Sequence, residues 1–108
     1  MYKYFKDSEI KNLNGGLVMM LDQARGIAGI PFVITSGFRT ADQNGLDNGV
    51  TDSAHLKGLA VDLRVVNDNA RFLILKALFA VGFTRIGDEV DHIHCDIDTL
   101  KDVTVVWR

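Results

Sequence analysis

Three histidines and the aspartates near them are the residues of this chain whose types and spacing could bind a metal ion. His55 and Asp62 stand seven residues apart, around Gly58, in the largely apolar segment SAHLKGLAVD. The other two histidines, His92 and His94, follow in DHIHCDI. Zinc binds imidazole nitrogens and carboxylate oxygens, and a catalytic zinc site keeps three protein ligands and one open position. His55, Asp62 and one later histidine would supply such a set.

A structural role competes with this interpretation. A polar residue in an apolar run is more often a locally hydrogen-bonded side chain than a ligand, because buried polar groups need partners. Gly58 allows a sharp turn between His55 and Asp62, which a ligand pair and a structural pair would use equally well. Residue types and spacing alone therefore leave both interpretations open.

The surrounding pattern predicts two helices and five strands that would position these residues. One helix begins at Asn14-Gly15-Gly16 and ends before Gly29 and Pro31, and a second covers residues 70–81, capped by residues 67–69 and stopped by Gly82. The predicted strands are residues 32–35, 59–66, 84–86, 92–97 and 103–107. This order favours an α+β fold with helices packed on a mostly antiparallel sheet, and residues 1–108 form one expected domain.

Strand periodicity predicts which side chains share a face. In the strand 92–97, His92, His94 and Asp96 lie on one side, whereas Cys95 faces the core. Asp91 must lie at the start of this strand or in a bulge to approach the same side. In the second helix, the apolar stripe of Phe72, Leu75 and Phe79 is expected to pack in the core.

Composition excludes several classes of partner. The chain has 108 residues, a net charge of −2 and no basic run, so no nucleic-acid partner is expected. No apolar run is long enough for membrane insertion. The start, MYKYFKDSEIKN, lacks a signal-peptide core, and the lone Cys95 cannot form an internal disulfide. We therefore expect synthesis in the cytoplasm and a monomer.

Three segments resemble one protein family. SAHLKGLAVD resembles the SxHxxGxAxD signature of the M15 metallopeptidases, the D-Ala-D-Ala carboxypeptidase and phage endolysin group with the hedgehog/DD-peptidase fold. ITSGFRT, residues 34–40, resembles the tSGyRs segment of that family, and Asn44 stands where its loop often has asparagine. DHIHCD, residues 91–96, resembles its closing acid-x-x-His strand. The three motifs occur in the family's order from about Leu17 to Ile97.

This resemblance implies a zinc ion held by His55, Asp62 and His94. Asp91 matches the catalytic acid/base, although many relatives have glutamate there, and Arg39 matches the arginine that binds the substrate carbonyl or the oxyanion. Zinc would activate a water molecule, a carboxylate would accept its proton, and an arginine would stabilise developing negative charge. Asp88 and Glu89 are the alternative bases.

Other polar residues have supporting roles in this hypothesis. His92 and Ser36 are candidates for substrate contact, and an exposed strand position is the alternative for His92. Ser53 is either a partner of a metal ligand or a capping serine. Asp96 either orients His55 or His94, or pairs with Arg64 across the strands. Residues 40–52 form a long loop expected to shape the cleft.

The predicted function is a zinc-dependent peptidoglycan peptidase that hydrolyses an amide bond of the wall stem peptide. It would be an L-alanyl-D-glutamate endopeptidase or a D-Ala-D-Ala-type carboxypeptidase. A phage or prophage endolysin, made in the cytoplasm and released to the cell wall, is the expected context. The alternatives are a non-catalytic zinc-containing binding module of the same fold and a free dipeptidase.

Overall fold

The computed structural model describes residues 2–40 and 53–108. Asn44 and the predicted loop beyond Thr40 lie outside the described residues, so their role in shaping a cleft stays a prediction. Over the described part the chain forms two α-helices, a short 3-10 helix and five strands. In chain order these are α1 (Gly15–Ala28), β1 (Ile34–Ser36), the 3-10 helix (Ala54–Lys57), β2 (Ala60–Arg64), α2 (Asp68–Ala80), β3 (Arg85–Asp88), β4 (His92–Asp96) and β5 (Val105–Trp107).

Asparagine caps begin both α-helices, as the sequence predicts. The side chain of Asn14 accepts hydrogen bonds from the backbone N–H groups of Gly16 and Leu17, at 2.8 and 3.2 Å. Asn67 accepts one from the Ala70 N–H at 2.7 Å. These bonds satisfy N–H groups that have no partner inside the helix. Gly29 ends α1 in the left-handed conformation, with φ of 72°.

The five described strands form one sheet in the order β1-β2-β4-β3-β5. Three of its pairings are antiparallel, and β3 pairs with β5 in parallel, with Arg85 opposite Val105. The predicted α+β fold with a mostly antiparallel sheet is confirmed. The parallel pairing of β3 with β5 is the exception within this mostly antiparallel sheet.

Both α-helices pack on one face of the sheet and enclose the hydrophobic core. Cys95 is fully buried there, as predicted, and burial raises the pKa of its thiol well above the ordinary value. The core also holds the following buried residues: Leu17, Val18, Leu21, Ala24, Val61, Leu63, Ile74, Ala77, Leu78, Phe83, Ile86 and Ile93. No helix in the described part is long and apolar enough to span a membrane.

The prediction that Phe72 and Phe79 of α2 pack in the core is wrong, because they are 62% and 50% exposed. Leu75 is partly buried and packs against the core, as predicted. The residues of α2 that are buried are Ala70, Ile74, Ala77 and Leu78. The helix itself carries apolar side chains on nearly every side, so the spacing of apolar residues alone could not identify the face that packs on the sheet.

Candidate metal centre

The two central strands bring Asp62 and His94 together. Asp62 of β2 lies directly opposite His94 of β4 in the antiparallel register. Side chains at opposite positions of neighbouring strands project from the same face of a sheet and lie close together. The Nδ1 atom of His94 is accordingly 3.0 Å from the Asp62 Oδ1 atom, on the sheet face away from the helices' core.

The 3-10 helix delivers His55 to the same place. Ser53 caps it, because the Ser53 hydroxyl accepts a hydrogen bond from the His55 N–H at 3.2 Å. Gly58 ends it in the left-handed conformation, with φ of 70°. The His55 side chain is only 2% exposed, and its Nε2 atom lies 3.3 Å from Asp62 Oδ1. The capping role weighed for Ser53 is therefore seen directly.

His55, Asp62 and His94 thus form a group that could hold a metal ion. One ligand atom from each lies within 4.8 Å of the other two. The remaining ring nitrogen of each histidine is held by an oxygen: His55 Nδ1 donates to the Gly37 carbonyl and His94 Nε2 to Asp96 Oδ2, both at 2.7 Å. In the neutral tautomer that carries its proton on this outer nitrogen, the inner nitrogen can ligate a cation.

The electrostatics of this group fit a bound cation. Burial opposes ionisation of Asp62, but hydrogen bonds with His55 and His94 hold the pKa of its carboxyl well below the usual range. Burial alone would lower the pKa of His94, yet its hydrogen bonds with Asp62 and Asp96 raise it overall. The pocket therefore favours positive charge beside the Asp62 carboxylate. Two imidazoles and one carboxylate are a donor set that suits zinc.

A cavity of about 330 Å³ opens over the candidate metal group. Arg39 lines it, and the Arg39 backbone N–H donates to the His55 carbonyl at 3.1 Å. Three further lining residues, Arg85, Lys101 and Trp107, were not singled out from the sequence. They lie in segments without a motif, so spacing along the chain carries no signal for them.

The predicted base, Asp91, lies just before β4 and is 88% exposed. It borders a neighbouring groove with Thr35 and Arg64 rather than the cavity. The Asp91 Oδ1 atom accepts a hydrogen bond from His92 Nδ1 at 2.8 Å, and this bond is the main reason that the pKa of Asp91 is lowered. His92 itself lines the cavity, with Nε2 4.0 Å from Asp62 Oδ2.

The alternative bases differ in position. Glu89 lines the cavity. Asp88 forms an ion pair with Arg71 outside the cavity lining, so its carboxylate already has a cationic partner. The catalytic role of Asp91 stays a prediction, with Glu89 as the competing carboxylate that faces the cavity.

Two of the remaining predicted residues are found in different surroundings. Ser36 lies opposite Asp62 in the β1–β2 register, but it lines a separate groove with Gly37 and Thr40. Asp96 bonds to His94 and to Arg85, and its predicted alternative partner Arg64 lies opposite His92 instead.

Comparisons with known proteins agree with this geometry. A family model described as Peptidase M15 matches residues 6–96. The crystal structure of Serratia marcescens L-Ala D-Glu endopeptidase ChiX is similar, with a TM-score of 0.63 and 18% sequence identity over 91% of this chain and 90% of that chain. This likeness shows the fold. A search of curated proteins finds no match.

The family match covers most of the chain, including the segments that carry His55, Asp62 and His94. The metal-binding group and the fold are those expected from the sequence motifs. The chain therefore belongs to the peptidase M15 family and is a metallopeptidase of that family.

Proposed function

We propose that this protein is a zinc-dependent peptidase that hydrolyses an amide bond of the peptidoglycan stem peptide. The observation that carries the proposal is the convergence of His55, Asp62 and His94 beneath a cavity that Arg39 also lines. Membership of the M15 family supports peptidase activity. The structural likeness to an L-Ala D-Glu endopeptidase supports wall peptides as the substrate class.

A zinc ion in this site would polarise the scissile carbonyl and activate water for attack on it. The residues of the chain would then position the substrate. Arg39 carries a fixed planar group of N–H donors on the cavity wall, where they can bind the carbonyl oxygen as negative charge develops there. A binding module that only retained the metal would not need such a donor beside it.

Proton transfer would require a carboxylate or imidazole close to the attacked carbonyl. We propose Asp91 for this role, supported by its match to the acid-x-x-His motif. His92 connects Asp91 to the cavity, because one ring nitrogen bonds to Asp91 and the other faces Asp62. Glu89 is the competitor, since it lines the cavity directly.

We propose the L-alanyl-D-glutamate bond as the one that is cleaved, supported by the structural likeness to an L-Ala D-Glu endopeptidase. Among the described residues, the cavity lining holds the cationic groups of Arg39, Arg85 and Lys101 and the carboxylates of Asp62, Glu89 and Asp96. A cationic group there would attract a carboxylate on the leaving side of the scissile bond, which D-glutamate and a terminal D-alanine both carry.

One experiment tests the metal, the activity and the bond together. Purified protein is analysed for bound metal and incubated with purified peptidoglycan, and the fragments are identified by mass spectrometry. We expect one zinc per chain and fragments ending in L-alanine. Asp62→Ala should lose both metal and cleavage, whereas the exposed Asp7→Ala should keep both.

Each other outcome decides against part of the proposal. Release of D-alanine would show that the cleaved bond lies next to D-alanine. Cleavage of free dipeptides alone would indicate a dipeptidase. Bound zinc without any cleavage would indicate a binding module. We also propose action on the wall after release from the cytoplasm, as by a phage or prophage endolysin, which predicts lysis when the protein is added to cells with a permeabilised outer membrane.

A further inference from the structure

Arg85 is a buried arginine at the edge of the candidate metal centre. It is the first residue of β3, only 8% exposed, and lies opposite Asp96 in the β3–β4 register. Its Nε–H group donates to Asp96 Oδ1 at 2.5 Å, and its Nη1 group donates to the Asp102 carbonyl. Two donors of one planar guanidinium are thus used at once, which fixes the plane of the group.

Asp96 connects this arginine to the metal ligand His94. The Asp96 Oδ1 atom accepts from Arg85 and also from the Asp98 N–H at 3.1 Å. The other oxygen, Oδ2, accepts from His94 Nε2 at 2.7 Å. Both carboxylate oxygens are therefore engaged. The bonds to Oδ1 orient the Asp96 carboxylate, and the bond between Oδ2 and the ring nitrogen orients His94.

The indole of Trp107 lies beside Arg85 and His94. The centre of its ring lies 5.6 Å from the Arg85 guanidinium carbon and 5.2 Å from the ring centre of His94. The indole fits here because Gly87 lies beneath it: a Cβ on Gly87 would approach the indole to 2.6 Å. An aromatic cover excludes water, and an ion pair in such surroundings holds its geometry more firmly than one exposed to solvent.

We propose that Arg85 is a positioning residue of the metal centre. It holds Asp96, and Asp96 holds the His94 ring so that Nδ1 faces Asp62 and the metal position. This inference rests on the metal site of the proposed function. A different role must be separated from it, because Arg85 also lines the cavity and could bind a substrate carboxylate directly.

Metal binding measured without substrate distinguishes the two roles. For Arg85→Gln we expect zinc affinity, measured by competition with a chelator, to fall by about 10- to 100-fold, as is usual when a partner of a metal-bound histidine is lost. The visible absorption spectrum of the cobalt-substituted protein should change. At saturating zinc, KM should change less than the zinc affinity does.

Arg71→Gln is the matched control. Arg71 also donates to a carboxylate, that of Asp88, and to the backbone carbonyls of Glu89 and Val90. It does not contact His55, Asp62 or His94. This variant should keep wild-type zinc affinity and cobalt spectrum. Arg85→Lys keeps the charge but not the two-donor geometry, and we expect an affinity between those of the wild type and Arg85→Gln.

Unchanged zinc affinity and cobalt spectrum in Arg85→Gln, together with a raised KM, would overturn the inference and assign Arg85 to substrate binding. If Arg85→Gln does not fold, Arg85→Lys and Asp96→Asn decide, and wild-type zinc affinity in both refutes the role. The proposed function fails separately: tight zinc binding without peptidase activity in the wild type would reject that function and leave the role of Arg85 intact.

Discussion

Replacing Gly58 by alanine tests how the turn that carries His55 is held in place. Gly58 has φ of 70°, and its carbonyl accepts the Asn14 N–H at 2.8 Å. An added Cβ would lie 2.3 Å from the Asn12 carbonyl oxygen, well inside contact distance, and that neighbour is backbone. An alanine at this position would therefore have to adopt an unfavourable backbone conformation, and its Cβ would also clash with the backbone that precedes α1.

Gly29 offers a control in which the first of these effects occurs alone. Its φ is 72°, nearly the same as at Gly58, and an added Cβ would meet no atom within 4 Å. A left-handed conformation costs an alanine about 1–2 kcal/mol. Relief of a clash in a packed region costs about 1–3 kcal/mol more.

We therefore expect Gly58→Ala to lower the free energy of unfolding by about 2–5 kcal/mol and Gly29→Ala by about 1–2 kcal/mol. For a domain of this size, 1 kcal/mol corresponds to a change of roughly 4 °C in Tm. The Tm should fall by roughly 8–20 °C and 4–8 °C respectively, measured by circular dichroism on the metal-free protein. Gly58→Ala should also weaken zinc binding, because His55 precedes it in the same turn, whereas Gly29→Ala should not.

Equal losses of Tm in the two variants would refute the steric argument, since they share the backbone cost. Wild-type zinc affinity in Gly58→Ala, despite a lowered Tm, would show that the ligand geometry does not depend on this turn. Both results are obtained without any assay of peptidase activity.

Three further predictions concern single side chains. His55→Ala should lower zinc affinity by more than the roughly 100-fold that loss of a supporting hydrogen bond can cost, and near-normal affinity in a chelator competition would contradict the ligand assignment. Asp91→Asn should keep bound zinc, and its kcat should fall by about 10²- to 10⁴-fold. If Glu89→Gln shows this loss and Asp91→Asn does not, Glu89 is the base. Burial opposes ionisation of Asp98, but its bonds with Lys57 and a backbone N–H lower its pKa. Its stabilising effect is therefore fully present above the ordinary pKa of about 3.9 and is lost progressively as the pH falls from there through the lowered pKa. Asp98→Asn should therefore lose about 1–3 kcal/mol at pH 7 and much less at pH 3 in urea unfolding, and an equal loss at both pH values would contradict this.

The sequence predicts the candidate metal-binding group because its members stand in dense local motifs that resemble those of the M15 family. His55 and Asp62 flank one glycine turn, and His94 lies at a strand position whose alternation predicts its face. Helix caps at Asn14 and Asn67 are similarly local, because a side-chain acceptor bonds to N–H groups two or three residues ahead.

Features that depend on pairing between distant segments could not be predicted in this way. Arg85 reaches Asp96 through the β3–β4 register, and Trp107 reaches His94 because β5 returns in parallel beside β3. Alternation along a strand predicts which face each residue occupies, but not which strands are neighbours or which residues lie opposite one another. The error at Phe72 has another cause: in a helix with apolar residues on most sides, tertiary packing decides which side is covered.

Because Asp62 lies directly opposite His94, the burial of the hydrophobic core also selects the strand register that brings these two residues together. A slip of one residue between β2 and β4 would turn His94 inwards and expel Ile93 and Cys95 into water, since side chains alternate along a strand. A folded state with a shifted register would therefore be less stable, because it loses apolar burial. For this reason the candidate ligands come together as the core forms.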